Sequence, residues 1–260
     1  MDGKYIHTRV NDGVGYIEIQ KPKANTYDLD MMRELDEALE EMRFNPEARV
    51  VVLASRVDGF FSAGADIEML KRSTPEFKAM FCLHSQETLN RFASTPKVVI
   101  AAVNGHCVGG GLEIALACDV RMMAQDGGKI GLPEVTLGVL PGTGGTQRLP
   151  RLIGTSRALD LMITGRLLTP DEALQIGLVN YVFPKTTFAD DVHQYAKKLA
   201  QGPARAVSLI KRSVVEGIEE PLLSGLALER ELQNQLFVSE DAKEGITAFI
   251  EKRKPNFNRD

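Results

Sequence analysis

The sequence predicts an α/β fold, a mixed core followed by a mostly helical C-terminal segment, on three observations. A strand–strand–helix order recurs through the first half of the 260-residue chain. Each glycine-rich stretch lies just after a hydrophobic strand, where α/β proteins commonly hold ligands. From Gly142 onward the periodicity is almost wholly helical. A chain of this length is expected to form one domain, or one with a small appendage, and can bury a large core.

Residues 4–10 and 14–20 read as two strands around Asn11-Asp12-Gly13, a hairpin turn signal. Residues 29–44 read as a helix, with Leu29, Met32, Leu35, Ala38, Leu39 and Met42 on one stripe and acids opposite; Pro46 closes it. Residues 50–54 form a buried strand, 58–66 a loop of small residues and 75–92 a helix. Residues 98–103 are again a buried strand, 104–111 a glycine-rich loop, 112–117 a helix and 120–123 a strand. Helices are expected at 143–152, 156–163, 170–176, 188–200, 203–216, 222–236 and 241–252, interrupted by a short strand at 179–182.

Composition excludes several classes. A hydrophobic content of 43% and charged content of 25% fit an ordinary globular protein. A net charge of −4 argues against nonspecific nucleic-acid binding. No apolar run reaches membrane-spanning length, and residues 1–10 resemble neither a signal nor a transit peptide. Cys82, Cys107 and Cys118 are odd in number and lack CxxC spacing, which suits a reducing, cytoplasmic setting, or the mitochondrial matrix for a processed eukaryotic chain. His7, His84, His106 and His193 are scattered, so no metal site is expected.

Four stretches can carry chemistry. Residues 105–113, Gly-His-Cys-Val-Gly-Gly-Gly-Leu-Glu, put three glycines at a strand-to-helix turn, where Gly110 and Gly111 present amides at a helix N-terminus. The plainer interpretation is close helix–strand packing. The stretch is not a P-loop, because Gly111 and Leu112 stand where Lys and Ser/Thr are required. Glu113 is an acid amid Leu112, Ile114, Ala115 and Leu116; it could equally answer the helix dipole. Pro133-Glu134 is a common helix start, yet glycines at 131 and 138 and the run 141–148 surround the acid with tight turns. Residues 60–67 place small residues after a strand; Ser62 is no nucleophile elbow, since Phe60 occupies a required glycine position, and Asp66 reads as a helix N-cap.

Taken together, FSAGADI at 61–67, NGHCVGGGLEIALACD at 104–119, GLPEVTLGVLPGTGGTQRLPRLIG at 131–154 and FIEKRKPNF at 249–257 resemble the crotonase superfamily, the enoyl-CoA hydratase/isomerase family. The resemblance spans nearly the whole chain, in the expected order. It implies a crotonase-like spiral of ββα repeats with the active site in residues 1–195, and a helical segment at 196–260 used for trimerisation, with hexamers built from two trimers. It implies that the amides of Ala65 and Gly110 receive a thioester oxygen. It assigns proton transfer to Glu113, as base toward water, and Glu134, as acid at the α carbon. It puts Ala63, Asp66, Ile67 and Gly142, and more loosely Lys23, near coenzyme A, which is part of the substrate, so no separate cofactor is implied.

The chemistry explains these residue types. As water attacks the β carbon of a conjugated thioester, charge develops on the carbonyl oxygen, and backbone donors require small residues for close approach. One ionised and one protonated carboxyl can exchange protons with water and the α carbon. The chain departs from the family pattern at Thr26-Tyr27-Asp28, where a small or aliphatic pair is common after Asn25, at Gly127-Gly128, one residue longer, and at Leu132, apolar before Pro-Glu. The alternative activity is an enoyl-CoA isomerase, which in this family often manages with the acid at position 134. A non-catalytic RNA-binding branch uses a lysine-lined helix, whereas Glu34, Asp36, Glu37, Glu40 and Glu41 make the first helix here acidic.

Overall fold

A computed structural model describes residues 1–257 of the chain. Strands β1 (Ile6–Asn11) and β2 (Val14–Ile19) pair antiparallel across the two-residue turn Asp12-Gly13. Both turn residues have positive φ, 54° and 81°, as the favoured hairpin turn requires. Helix α1 (Leu29–Phe44) is capped by Asp28, whose carboxylate accepts the Met31 amide at 3.0 Å. Its buried stripe is Met31, Met32, Leu35, Ala38, Leu39 and Met42.

Three two-strand repeats follow. Strand β3 (Val50–Ser55) leads to β4 (Phe60–Ser62) and helices α2 (Ile67–Arg72) and α3 (Pro75–Ser94). Strand β5 (Val98–Val103) leads to β6 (His106–Val108) and α4 (Gly110–Leu116). Strand β7 (Val120–Ala124) leads to β8 (Ile130–Gly131) and a 3-10 turn at Glu134–Leu137. Helices α5 (Gly145–Ile153), α6 (Thr155–Thr164) and α7 (Pro170–Gln175) precede β9 (Tyr181–Phe183) and α8 (Phe188–Ala200). Helices α9 (Ala204–Gly217), α10 (Leu222–Phe237) and α11 (Glu240–Ile250) complete the chain's regular structure.

The first strand of each repeat joins a six-stranded sheet of order β1-β2-β3-β5-β7-β9, and the second joins a three-stranded sheet of order β4-β6-β8. Apart from β1–β2, all pairings between these strands are parallel. This is the spiral of ββα units. The large sheet is buried on both faces. One face contributes Ile17, Val51, Leu53, Val99, Ala101 and Met123 to the main core with α1 and α4. The other contributes Tyr16, Val52, Ile100 and Met122 to a second core under Phe188, Val192, Ala196 and Ala200 of α8. Double burial is why these strands read as unbroken apolar runs.

The structure differs from the sequence reading at the short elements. Strands β4 and β6 fall where loops are expected, and β8 where the sequence assigns no element, because two or three residues cannot display a strand period. Helix α4 starts at Gly110 rather than 112, taking two of the glycines into the helix. Position 195 lies inside α8, whose Ala196 and Ala200 are buried on the sheet, so the chain leaves the core after α8. Beyond it, α9 is anchored by Lys211, whose ammonium donates to Asp119 at 2.7 Å and to the Lys97 carbonyl at 3.0 Å. No helix among the described residues is long and apolar enough to cross a membrane.

Candidate active site

Strands β4 and β6 each end in a turn with a positive-φ glycine, and these two turns abut. At Gly64 (φ 88°) a Cβ would stand 3.0 Å from the Gly110 nitrogen and 3.2 Å from the Val108 carbonyl oxygen, so only glycine permits the approach. Tyr27 forms an isolated parallel bridge with Ala65: its amide donates to the Gly64 carbonyl and its carbonyl accepts the Asp66 amide, both at 2.9 Å. In such a bridge the amide of the middle residue, Ala65, points away from its partner. Gly110 opens α4, so its amide belongs to the first turn and has no acceptor within the helix. Ala65 and Gly110 both line a cavity of about 400 Å³.

Glu113 stands three residues beyond Gly110 on α4, on the same helix face. It is 2% exposed, and its Oε1 accepts two backbone amides, Thr143 and Gly145, each at 2.7 Å. Burial raises its pKa, while the two amides, the Thr143 hydroxyl and the Arg148 charge oppose the rise by favouring the ionised form. Glu134 opens the 3-10 turn across the cavity. Burial, with a smaller contribution from the Glu113 charge, pushes its pKa up to about 7. Its Oε2 is buried without a hydrogen-bond partner among the described residues. A buried polar oxygen left in this way awaits a ligand or water. Much of the remaining wall is apolar, from Leu70, Phe81, Leu137, Val139 and Leu140.

The raised pKa of Glu134 has a stability consequence. Its folded-state value, about 7, lies above the ordinary 4.5, so folding takes up a proton and stability is lost as pH rises through 7. Glu134→Gln removes that loss. The variant is expected to be more stable than the parent at pH 8 by on the order of 1–2 kcal/mol, after screening of a partly exposed group. The gain shrinks as pH falls toward 5. Thermal unfolding at the two pH values checks this, with a shift of about 2–6 °C at pH 8; equal shifts at both would count against it.

Of the residues singled out in the sequence, Ala63, Ala65, Ile67, Gly110, Glu113, Glu134 and Gly142 line this one cavity. Asp66 and Lys23 are not among its lining residues. Asp66 caps α2 by accepting the Met69 amide at 3.0 Å, the plainer of its two readings, and Lys23 lies exposed in the turn after β2. The structure adds Tyr27, Lys78, Cys82 and Thr143 to the lining. In the sequence Tyr27 stands out only as a departure from the family pattern. Thr143 lay within the run of turns after Pro141, and nothing in the sequence pairs it with Glu113. Among the described residues no cluster of three His, Cys, Asp or Glu side chains could hold a metal ion.

Comparisons with known proteins identify what the chain as a whole is similar to. The enoyl-CoA hydratase/isomerase family profile matches residues 9–260. A short-chain-enoyl-CoA hydratase of Clostridium acetobutylicum is 38% identical over 242 residues, covering 93% of this chain and 92% of that protein. A crotonyl-CoA hydratase of Syntrophomonas wolfei is 37% identical over 240 residues, covering 92% of each. Among solved structures, an enoyl-CoA hydratase of Geobacillus kaustophilus superposes with a TM-score of 0.97 at 53% identity, covering 99% of this chain and 98% of that one. On the profile match, the sequence identities and the shared fold, the chain belongs to the enoyl-CoA hydratase/isomerase family.

Proposed function

We propose that the protein is an enoyl-CoA hydratase, a lyase that adds water across the double bond of a 2-enoyl-CoA to give a 3-hydroxyacyl-CoA. The observation that carries the proposal is the shared cavity of two acids, the buried Glu113 and the half-buried Glu134, with Ala65 and Gly110. In this reading the thioester oxygen accepts the Ala65 and Gly110 amides. Glu113, whose ionised form the Thr143 and Gly145 amides favour, takes a proton from water as the water oxygen bonds to the β carbon. The double-bond electrons pass to the carbonyl oxygen, where the amides stabilise the developing enolate. Glu134, whose pKa of about 7 keeps a substantial protonated fraction at neutral pH, delivers its proton to the α carbon. Atoms balance: water is consumed, and one proton passes from Glu134 while one arrives at Glu113. The two titrations belong to the pair rather than to either residue.

Coenzyme A enters and leaves as part of the substrate, and no further cofactor is required. Ala63 and Ile67 in the cavity lining, with Asp66, are read as neighbours of its adenine end, Lys78 in the same lining suits its phosphates, and Lys23 is assigned to coenzyme A more loosely. An assay on a panel of 2-enoyl-CoA thioesters, read by loss of the conjugated absorbance, tests the function; no hydration of any member would overturn it. An isomerase needs only one acid, and the retention of Glu113 favours hydration.

The same reading carries assembly into a homotrimer, or a hexamer of two trimers, in the cytoplasm or in a mitochondrial matrix. It is supported by the apolar side chains that α9–α11 leave exposed, among them Ile210, Val214, Ile218, Leu222, Leu223 and Phe249, the last 85% exposed. Ile210 and Val214, four residues apart, share one face of α9, and large apolar side chains left exposed on helix faces are expected at an interface. Analytical ultracentrifugation is expected to give three or six times the mass of one chain. A concentration-independent monomer would contradict the assembly and leave the chemistry standing.

A further inference from the structure

Tyr27 occupies a position where the resemblance leads one to expect a small or aliphatic residue, and it is almost completely buried. Its ring stands against Phe81 with centroids 5.8 Å apart, and its edge is pressed onto Gly110: a Cβ there would lie 2.1 Å from the phenolic oxygen. The hydroxyl lies 3.3 Å from the Thr143 hydroxyl. Thr143 is also the residue whose amide donates to Glu113 at 2.7 Å. Thr143 therefore links the ring to the carboxylate, its hydroxyl facing the phenol and its amide donating to Glu113, and its hydroxyl also favours the ionised form of that carboxylate.

The direction of donation follows from counting protons. A carboxylate only accepts, and a threonine hydroxyl has a single proton to give. When Thr143 turns that proton to Glu113, the remaining contact requires the Tyr27 phenol to donate to Thr143. The phenol can do so throughout the working range, because burial and the nearby Glu113 charge hold it protonated. Resting on the hydratase reading above, we propose that Tyr27 is a positioning residue that, through the Thr143 hydroxyl, orients Glu113 and holds it in its ionised form. The other titratable or charged groups that face Glu113 are Cys82 from α3, Glu134 from the 3-10 turn and Arg148 from α5; none of these completes the Tyr27–Thr143 path.

The phenol's own contribution is isolated by Tyr27→Phe, which keeps the ring, the backbone bridge to Ala65 and the packing on Gly110. Loss of one buried donor is expected to lower kcat on crotonyl-CoA about five- to tenfold with little change in KM. Removing a bond to the charged form raises the pKa of Glu113, so the acid limb of the pH–rate profile moves up by about half to one pH unit. Thr143→Val is expected to move the limb the same way. Tyr27→Phe/Thr143→Val should be no worse than Thr143→Val alone, since both act along one path. Thr143→Ser restores the hydroxyl and should return the limb to its parental position. Should Tyr27→Phe fail to fold, the Val and Ser variants decide by themselves.

A parental pH profile in Tyr27→Phe, or in Thr143→Val, overturns the inference, as does multiplication of the two losses in the double variant. These outcomes are distinct from failure of the hydratase reading, in which the parent itself would not hydrate any enoyl thioester.

Discussion

Glu113→Gln is expected to fold normally and to lose about a thousandfold in kcat for hydration of crotonyl-CoA, within the range general acid–base catalysis supplies. The argument is geometric. Glutamine has the shape of glutamate, and its side-chain oxygen can keep both 2.7 Å hydrogen bonds from the Thr143 and Gly145 amides. That choice fixes the other end: an NH2 group replaces the oxygen facing the cavity. The site then offers a donor where water needs an acceptor, and the amide cannot take a proton. The binding surface for the thioester is unchanged, so KM should move little and the loss should sit in kcat. Steady-state kinetics beside a circular dichroism spectrum checks it. Near-parental turnover would remove Glu113 from the chemistry.

The second large effect is expected at Gly110. Gly110→Ala adds one methyl group where the Tyr27 oxygen would be 2.1 Å away and its ring carbon Cε1 2.5 Å away. Tyr27 is locked by its backbone bridge to Ala65 and by Phe81, so the strain falls on the first turn of α4. Overpacking of this kind costs about 1–3 kcal/mol of stability. The same shift withdraws the Gly110 amide from the developing oxyanion, and loss of one such donor costs about a hundred- to a thousandfold in rate. The combination predicts a variant that melts several degrees lower and whose kcat falls far more than its stability at assay temperature explains. Parental kcat in a folded Gly110→Ala would show that this amide is not used.

How much of this was legible in the sequence differs from element to element. The stripe Met32, Leu35, Ala38, Leu39 and Met42 announces α1, and the apolar runs of β3, β5 and β7 announce strands buried on both sides, because burial sets periodicity. The strands β4, β6 and β8 were hidden, being held by neighbours distant in sequence rather than by local pattern. Within the site, Gly64, Gly110, Glu113 and Glu134 could be named because close approach requires glycine and because an acid in an apolar stretch needs a reason. Which groups hold Glu113 could not be read, since Thr143 and Gly145 are 30 and 32 residues away and act through backbone amides, which any residue type other than proline would provide. Asp66 shows the converse: a residue of the most recognisable motif proves to be the cap of α2.

The most direct measurement is mass spectrometry of the product formed from crotonyl-CoA in water enriched with heavy oxygen. A site in which two acids share a water beside two amides predicts that the heavy oxygen appears in the hydroxyl on the β carbon, and that Glu113→Gln abolishes its uptake. A product that is only a rearranged enoyl-CoA, with no oxygen gained from solvent, would contradict it.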